Sequence, residues 1–476
     1  MFGSKLIAVT EKNMIRICLV VLLLDQDYHS GRCMPIVSTP TRASCDAKCT
    51  YSEATREANC EYRQLSEVPT ECNAATYLSL NHNQIERIEP RTFQGFYDLE
   101  VLILSNNKIK QLGANAFTGA PKLKEIYLYD NNVEIFDSLA LDGTNGGLQL
   151  IDLSNNCIKY IESGTFQFVV KLKFIALYNN SLSRLNPGVF DNLRHLEVLD
   201  LGSNKLKTLP NDIFMHLIRL QTIILSENQL MSTGRVLLLP RIKTLDMRNN
   251  NLTRLANITE ETLGRLQIER IEPRTFQGFY DLEVLILSNN KIGQVEANTF
   301  TGAPKLREIN LQNNNIAIFD RLALNGSGDL RDVYLSNNNI NDIETSTFQL
   351  VTKLKLIALF NTSLSRLKPG VFDNLRHLAV LDLGSNRLKT LPSDIFAHLI
   401  RLQTIILSDN QLISTGRILL LPQIMWLDIR NNNLMKLDNL KEETLGRLQI
   451  TVVGKACQVS RLQPVLRVTP NVLIQK

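Results

Sequence analysis

The sequence predicts a solenoid in which short parallel strands stack into one long sheet, and two observations lead to that prediction. A pattern of leucine, isoleucine and asparagine residues recurs about every 24 residues along most of the 476-residue chain. Four cysteines, at Cys45, Cys49, Cys60 and Cys72, directly precede the first copy of the pattern. Each unit of such a stack packs only on its neighbours, so a chain of this length need not divide into several globular domains.

The repeating unit is clearest at Leu99 to Ile109, which reads Leu-x-x-Leu-x-Leu-x-x-Asn-x-Ile, the consensus of a leucine-rich repeat. Leu102 and Leu104 point into the coil, because side chains alternate along a strand. The amide of Asn107 carries two donors and an acceptor oxygen, so it can bond backbone groups of neighbouring coils where the chain leaves the sheet. A stack of such asparagines forms a ladder, and we call residues at this position ladder residues.

Ladder residues identify fifteen coils in two series. The first series is Asn83, Asn107, Asn131, Asn156, Asn180, Asn204, Asn228 and Asn250. The second series is Asn290, Asn314, Asn338, Thr362, Asn386, Asn410 and Asn432. A phenylalanine follows the strand in most coils and predicts a stacked spine on the convex side, with members Phe93, Phe117, Phe166, Phe190, Phe214, Phe276, Phe300, Phe348, Phe372 and Phe396. The coils after Asn131 and Asn314 lack this spacing and predict irregular convex loops. The predicted fold class is therefore an α/β solenoid, a horseshoe with a parallel sheet on its concave face.

The two series are one unit written twice, since residues 84–109 and 267–292 are identical over 26 positions. Ladder residues Asn250 and Asn290 are 40 apart, and a strand at Leu263 to Ile268 would divide that interval into two short coils. We favour one continuous solenoid with a flaw at this seam. The alternatives are two stacks hinged there, or a repetition that arose when the sequence was assembled.

The amino-terminal residues predict a secretory signal. Lys5, Lys12 and Arg16 precede the apolar run Ile17 to Leu24, which is too short to span a membrane. No later segment has membrane-spanning length. The predicted order is a signal peptide at 1–30, lead-in and cysteine cap at 31–75, first repeat block at 76–255, seam at 256–275, second repeat block at 276–450 and tail at 451–476.

The other cysteines and the sequons predict modifications of an exported protein. Four cap cysteines can pair in three ways, among which the sequence does not choose. Cys157, at an outward position after a ladder residue, and Cys457 in the tail are candidates for an inter-chain disulfide, with an inert thiol as the alternative. The candidate glycosylation sites are Asn179, Asn251, Asn257, Asn325 and Asn361.

Aromatic residues cluster at outward positions of the predicted concave face, beside Asp and Ser. Exposed aromatic patches of this composition are typical of protein interfaces. The alternative is that tyrosines simply favour strands. The predicted partner-binding residues are Tyr127, Tyr129, Asp152, Phe174, Tyr178, Tyr334, Phe360 and Trp426.

Catalysis, cofactor binding and nucleic-acid binding find little support in the sequence. His195, His216, His377 and His398 lie in convex segments without cysteine or carboxylate partners at metal-ligand spacing. Concave aspartates lie on alternate coils, roughly 10 Å apart, too far for a retaining carboxylate pair. Only the inverting separation fits, and solvated surface charge is the interpretation we favour. No glycine-rich phosphate loop or nucleophile elbow is present, and a net charge of +5 is small for a nucleic-acid binder. We therefore expect no catalytic residue, metal or cofactor.

The 24-residue coils, phenylalanine spine, four-cysteine cap and signal resemble secreted and cell-surface animal leucine-rich-repeat proteins over residues 45–450. The chain is similar to Toll-type receptor ectodomains, slit-like guidance proteins and the leucine-rich-repeat immune proteins of insect haemolymph. The last group implies recognition of pathogen or complement-like proteins, often as disulfide-linked assemblies, and for this chain it implies a disulfide-linked or a non-covalent dimer. It departs from that group in lacking the cysteine-rich segment and coiled coil that many members carry after the repeats. The resemblance implies a secreted, non-enzymatic protein binder with an immune role, and the alternative is adhesion, guidance or matrix organisation.

Overall fold

A computed structural model describes residues 45–232, 239, 241–253, 270–418, 421–434, 449–452 and 472–474. The predicted signal peptide, the lead-in before residue 45, Asn257 and Cys457 lie outside the described residues. Within them, no helix is both long and apolar enough to cross a membrane.

Fifteen three-residue strands, one in each coil, pair in parallel and in register within a nineteen-stranded sheet of the described residues. In every one of these strands the middle residue is a buried Leu, Ile or Val. The strands of the first block are β3 Tyr77–Ser79, β4 Val101–Ile103, β6 Glu125–Tyr127, β8 Leu150–Asp152, β9 Phe174–Ala176, β10 Val198–Asp200, β11 Thr222–Ile224 and β12 Thr244–Asp246. The strands of the second block are β14 Val284–Ile286, β16 Glu308–Asn310, β18 Asp332–Tyr334, β19 Leu356–Ala358, β20 Val380–Asp382, β21 Thr404–Ile406 and β22 Trp426–Asp428.

The amino-terminal cap covers the first coil and is cross-linked by two disulfides, Cys45–Cys72 and Cys49–Cys60. This pairing is one of the three that the sequence left open. The cap consists of two 3-10 turns, Cys45–Ala47 and Thr70–Cys72, and the antiparallel strands β1 Thr50–Ser52 and β2 Glu57–Asn59. Strand β2 then pairs in parallel with β3, so the cap extends the sheet and shields the apolar interior of the first coil.

The asparagine ladder is confirmed bond by bond. Asn204, for example, donates from Nδ2 to the Leu177 carbonyl of the preceding coil at 2.9 Å and to the Leu201 carbonyl of its own coil at 3.1 Å. Its Oδ1 accepts the Leu182 N–H at 3.0 Å. The other thirteen ladder asparagines are likewise 6–8% exposed, so each replaces water as the partner of buried backbone groups.

Thr362 occupies one rung with a shorter side chain. Its Oγ1 donates to the Leu359 carbonyl of its own coil at 3.0 Å, and its N–H donates to Asn386 Oδ1 of the next coil at 3.1 Å. The equivalent Asn180 also bonds the preceding coil, at the Leu153 carbonyl and the Ile158 N–H. Among the described hydrogen bonds, Thr362 has no counterpart of these two.

The residue before every ladder residue has a left-handed backbone, with φ between 50° and 57°. Asn and Asp adopt this conformation at least cost among residues with a Cβ. This requirement explains the Asn-Asn doublets of the sequence, such as Asn106-Asn107 and Asn337-Asn338. The sequence analysis did not identify this second constraint at the strand exit.

The predicted phenylalanine spine is present on the convex side in several stacked runs. Phe166, Phe190 and Phe214 stack with ring centroids 6.1 and 6.2 Å apart, and Phe348, Phe372 and Phe396 repeat the arrangement. The coils expected to be irregular instead contribute short strands to two small convex sheets. These sheets pair β5 Gln111–Leu112 with β7 Ile135–Phe136, and β13 Arg270–Ile271, β15 Gln294–Val295 and β17 Ile318–Phe319 in that order.

The solenoid, its parallel sheet and its cap are thus as predicted, with one correction. The convex segments of the described residues are turns and two-residue strands, so the α component expected of an α/β solenoid is not found there. Glycine enables one such turn, since Gly143 has a φ of +86° and a Cβ there would lie 2.6 Å from Thr118 Oγ1.

The strands on either side of the described part of the seam are neighbours in the sheet. Strand β12 pairs directly with β14, so no strand lies between them in the sheet. Asn290 bonds the Met247 carbonyl and the Leu252 N–H, both at 3.0 Å, as the other ladder asparagines bond the coil before them. The two blocks therefore share one uninterrupted sheet, while Leu263 to Ile268 fall outside the described residues.

Strands also continue beyond the last clear repeat. Strand β23 Gln449–Val452 pairs in parallel with β22, and β24 Val472–Ile474 pairs with β23. The sheet therefore extends into the tail predicted at 451–476.

Candidate partner-binding face

The concave face consists of three columns of outward side chains. The first column contains the first residue of each strand, the middle column contains the third residue, and the last column contains the residue two positions beyond the strand end. The columns follow from the register, which places Asp152, Ala176, Asp200, Ile224 and Asp246 side by side in the middle column. Across the fifteen strands the columns contain two basic residues, Arg248 and Arg430, and eight acidic ones: Glu125, Asp152, Asp200, Asp246, Glu308, Asp332, Asp382 and Asp428. The chain as a whole has a net charge of +5, so the concave face has a charge balance opposite to the rest of the molecule.

The middle-column aspartates lie deep between their neighbours. Each of them accepts a hydrogen bond from the backbone N–H two residues on, as Asp200 Oδ1 does from Gly202 at 2.8 Å and Asp382 Oδ1 from Gly384 at 2.9 Å. Burial raises the pKa of Asp200 to about 7, opposed by the Gly202 hydrogen bond and reinforced by the charges of Asp246 and Asp152. Burial likewise raises the pKa of Asp382 to about 6.

Each of the two concave arginines pairs with the aspartate two residues before it, at the end of the strand in the same coil. Arg430 makes a two-pronged contact with Asp428, at 2.8 Å from Nε to Oδ1 and 2.6 Å from Nη2 to Oδ2. Arg248 Nη2 lies 3.2 Å from Asp246 Oδ2. Burial raises the pKa of Asp246 to about 6, and Arg248 opposes that rise. The basic groups of this face therefore offset two of its own carboxylates.

The predicted aromatic residues separate into three groups by exposure. Tyr178 and Phe360 are 37% and 36% exposed. Tyr127, Tyr129 and Trp426 are half-buried.

Phe174 and Tyr334 are buried, so the prediction that they are exposed contact residues is wrong. Tyr334 is only 2% exposed because it packs with Leu356 and Ala358 from the next strand. Phe174 is 7% exposed between Leu150 and Val198 of the strands on either side.

Of the aromatic residues predicted to bind a partner, the two most exposed, Tyr178 and Phe360, each lie against a glycine of the next coil. A Cβ at Gly202 would be 3.1 Å from Tyr178 Cδ2, 3.1 Å from Asp200 Oδ1 and 3.2 Å from Ser226 Oγ. A Cβ at Gly384 would be 3.1 Å from Phe360 Cδ2 and 3.2 Å from Asp382 Oδ1. The absence of a side chain lets the ring lie over the backbone beside the carboxylate.

We call these two groupings the Tyr178 notch (Tyr178, Asp200, Gly202) and the Phe360 notch (Phe360, Asp382, Gly384). The sequence predicts Tyr178 and Phe360 as partner-binding residues, but it does not predict the notches. Their signal is an Asp-Leu-Gly strand end with an aromatic residue 24 positions before the glycine, and it occurs at the same place in both blocks.

The convex histidines were the candidate metal ligands or catalytic residues of the sequence. His195, His377 and His398 are exposed on the convex side. Within the described part of the chain, one group of three residues has metal-ligand spacing, Cys45, Cys49 and Cys72, and disulfides engage all three sulfurs.

The candidate modification sites differ in accessibility. Cys157 is exposed and unpaired with another described cysteine. Asn179 is exposed, and its Nδ2 donates to Asn155 Oδ1 at 2.9 Å; Asn361 repeats this contact with Asn337 at 3.0 Å. The remaining described sequon residues, Asn251 and Asn325, are half-buried.

Solved structures similar to this chain share its fold. A leucine-rich-repeat protein of Leptospira interrogans superimposes with a TM-score of 0.64 and 20% identity, over 92% of this chain and all of that one. Toll of Drosophila, in its complex with Spatzle, gives a TM-score of 0.61 and 20% identity over 85% of this chain, which spans 55% of the Toll chain. The leucine-rich-repeat domain of APL1 gives 0.58 and 24% identity, over 70% of this chain and 80% of that one.

No curated protein matches the sequence significantly. The family described as Leucine rich repeat matches residues 74–133, 171–230, 262–316, 328–388 and 376–434, which together make up more than half of the chain. The matched segments contain every ladder residue of the second block and most of those of the first. On this evidence the chain belongs to the leucine-rich-repeat family.

Proposed function

We propose that this chain is an extracellular, non-enzymatic protein that binds a protein partner on its concave face. The observation that carries the proposal is the pair of notches, each with an aromatic residue more than one third exposed beside a recessed carboxylate. Aromatic side chains held rigidly in such surroundings contribute most of the energy in many protein interfaces. A folded sheet that is ordered before binding also loses little conformational freedom when a partner docks.

Structural neighbours support a protein ligand. Toll was solved in complex with Spatzle, and the plant receptor RGFR1 was solved in complex with the peptide hormone RGF2. Both neighbours have about 20% identity to this chain, so they support the use of the fold rather than a particular partner.

The cap supports an extracellular location. The Cys45–Cys72 and Cys49–Cys60 disulfides persist in an oxidising compartment and are rare in the cytosol. The predicted signal peptide agrees with export, and cleavage after expression in animal cells is its direct test. Immune recognition is the role we favour, because Toll functions in development and innate immunity and APL1 has the same fold.

Partner capture by paired tyrosine variants tests the concave face. Tyr127→Ala combined with Tyr178→Ala should lower the affinity for a captured partner by tenfold or more, since two interface aromatics are removed. The matched control is Tyr97→Ala with Tyr280→Ala, which removes two rings that are 60% and 62% exposed away from the concave face. Equal losses in both variants, or no loss in the first, would contradict the proposal, provided the circular-dichroism spectra match.

A separate experiment tests the immune role against adhesion or guidance. The biotinylated chain is incubated with animal body fluid taken before and after microbial challenge, and with matrix and cell-surface fractions. Retention of a partner only after challenge supports the immune role, whereas retention only from matrix or cell surfaces favours adhesion or guidance. Turnover by the purified chain that is lost on changing one concave aspartate would overturn the non-enzymatic assignment.

Assembly and glycosylation are part of the same proposal. Cys157 is exposed and available for an inter-chain disulfide, and Asn179 and Asn361 are exposed sequons at equivalent positions. Non-reducing mass spectrometry of the secreted protein measures both. A monomer mass with free Cys157 and no glycan would contradict these two modifications without affecting the fold.

A further inference from the structure

Resting on the proposed concave-face function, we infer that the two notches are equivalent subsites for cationic side chains of one basic partner. The partner therefore presents two arginine- or lysine-bearing segments at a fixed separation, as a dimer or a repeated basic protein does.

Each notch combines an aromatic ring with a carboxylate group. Tyr178 Cδ2 and Asp200 Oδ1 each lie 3.1 Å from the same point above Gly202, so ring and carboxylate are within about 6 Å of each other. A guanidinium or ammonium group stacks favourably on an aromatic face and is attracted to a carboxylate behind it. An anionic side chain would be repelled by the same carboxylate, and the prevailing acidic charge of the concave face acts in the same direction.

The second step is the equivalence of the notches. Phe360, Asp382 and Gly384 repeat the arrangement with distances of 3.1 and 3.2 Å, and the ring exposures differ by one percentage point. The change from Tyr to Phe retains the aromatic face and removes only the hydroxyl. A feature of the partner that fits one notch therefore fits the other.

The third step is their separation. The continuous register places seven strand steps between β9 and β19, and equally between β10 and β20. At about 4.8 Å per strand the notches lie roughly 34 Å apart. One short peptide cannot contact both, whereas two linked segments can, and their joint affinity then exceeds that of either alone.

The test uses two synthetic probes of equal charge. Each has two Arg-Arg-Arg heads, joined by a Gly/Ser linker of either 2 or 20 residues. The outermost Cα atoms of the short probe are at most about 24 Å apart at ~3.4 Å per residue, so its arginines can reach both notches only when the backbone and both side chains are fully extended along one line. The long linker has a root-mean-square length of about 25 Å and can extend well beyond 34 Å. Non-specific charge attraction is nearly the same for both probes.

We expect the long probe to bind the full chain at least tenfold more tightly than the short one, by fluorescence anisotropy at pH 8, which lies above the pKa of about 7 for Asp200 and about 6 for Asp382, so that both notch carboxylates are ionised. Tyr178→Ala or Phe360→Ala alone should abolish that difference, because one remaining notch cannot give a two-site contact. Tyr178→Phe should preserve it, since it reproduces the second notch, and Tyr97→Ala with Tyr280→Ala should leave it unchanged. Probes with Glu-Glu-Glu heads should bind more weakly than either arginine probe.

Equal affinities of the long and short probes, or a long-probe advantage that survives loss of a notch ring, would overturn the inference. Tyr127→Ala separates this result from the fate of the proposed function, because Tyr127 belongs to neither notch. If Tyr127→Ala still weakens capture of a protein partner while the probes show no advantage, the concave face binds protein and the cationic subsites are wrong. If neither effect is found, both proposals fail.

Discussion

Replacing Asp200 by Asn should stabilise the fold at pH 8 and leave its stability at pH 4 nearly unchanged. The folded-state pKa of Asp200 is about 7, above its ordinary value of 3.8, because burial disfavours the charged form. The folded protein therefore holds this proton more tightly than the unfolded chain does. Its contribution to stability is fully present below pH 4 and is lost as the pH rises through 7.

The magnitude follows from that difference in pKa. A separation of about three pH units corresponds to about 4 kcal/mol of lost stability at alkaline pH, at 1.36 kcal/mol per unit. Asn removes the buried charge, and its side-chain oxygen can still accept the Gly202 N–H that Asp200 accepts at 2.8 Å. We expect a gain of about 2–4 kcal/mol at pH 8, since local relaxation reduces the full value.

Urea unfolding at pH 4, 6 and 8 measures the effect, with the denaturant slope as a check that the unfolding unit is unchanged. Asp382→Asn is the matched comparison in the second block and should give a smaller gain, because its pKa is about 6. A variant no more stable than the parent at pH 8, or a parent whose stability rises between pH 6 and 8 in step with the variant, would refute the reasoning.

Three further changes test the ladder and the cap. Asn204→Leu should cost about 1–3 kcal/mol, because it removes the partners of buried backbone groups in two coils, and an unchanged unfolding midpoint would contradict that. Thr362→Asn should add about 1 kcal/mol by restoring the two bonds to the preceding coil; hydrogen exchange that stays as fast at the Ile340 amide would argue against it. Loss of the Cys45–Cys72 disulfide, which closes a separation of 27 residues, should cost about 3–4 kcal/mol, and scanning calorimetry of the Ser double variant is the measurement.

The sequence predicts most of the fold because each coil repeats one local rule. Leu102, Leu104 and Asn107 are already enough to place a strand, its inward face and its exit turn. The rule holds in the structure because each coil contacts only the next one, so no distant segment can override it. The cysteine pairing was not predictable in this way, since it depends on how the cap folds onto the first coil.

The binding face was only partly predictable, because exposure depends on neighbouring coils. Tyr334 and Tyr178 both occupy outward positions of the repeat pattern, and the alternation of side chains treats them alike. Tyr334 is in the middle column, where Leu356 and Ala358 cover it, whereas Tyr178 is at the strand exit above Gly202. Lateral packing therefore decides which aromatic rings a partner can reach.

The expected extra strand at the seam, Leu263 to Ile268, lies outside the described residues. That expectation treated the repeat length as fixed, so an interval of 40 residues had to contain a second coil. The structure preserves the contacts of the rung, from Asn290 to the Met247 carbonyl and the Leu252 N–H, and the direct pairing of β12 with β14. The invariant of this solenoid is therefore the set of bonds at the sheet and the ladder, and it is also what keeps the two notches seven strands apart.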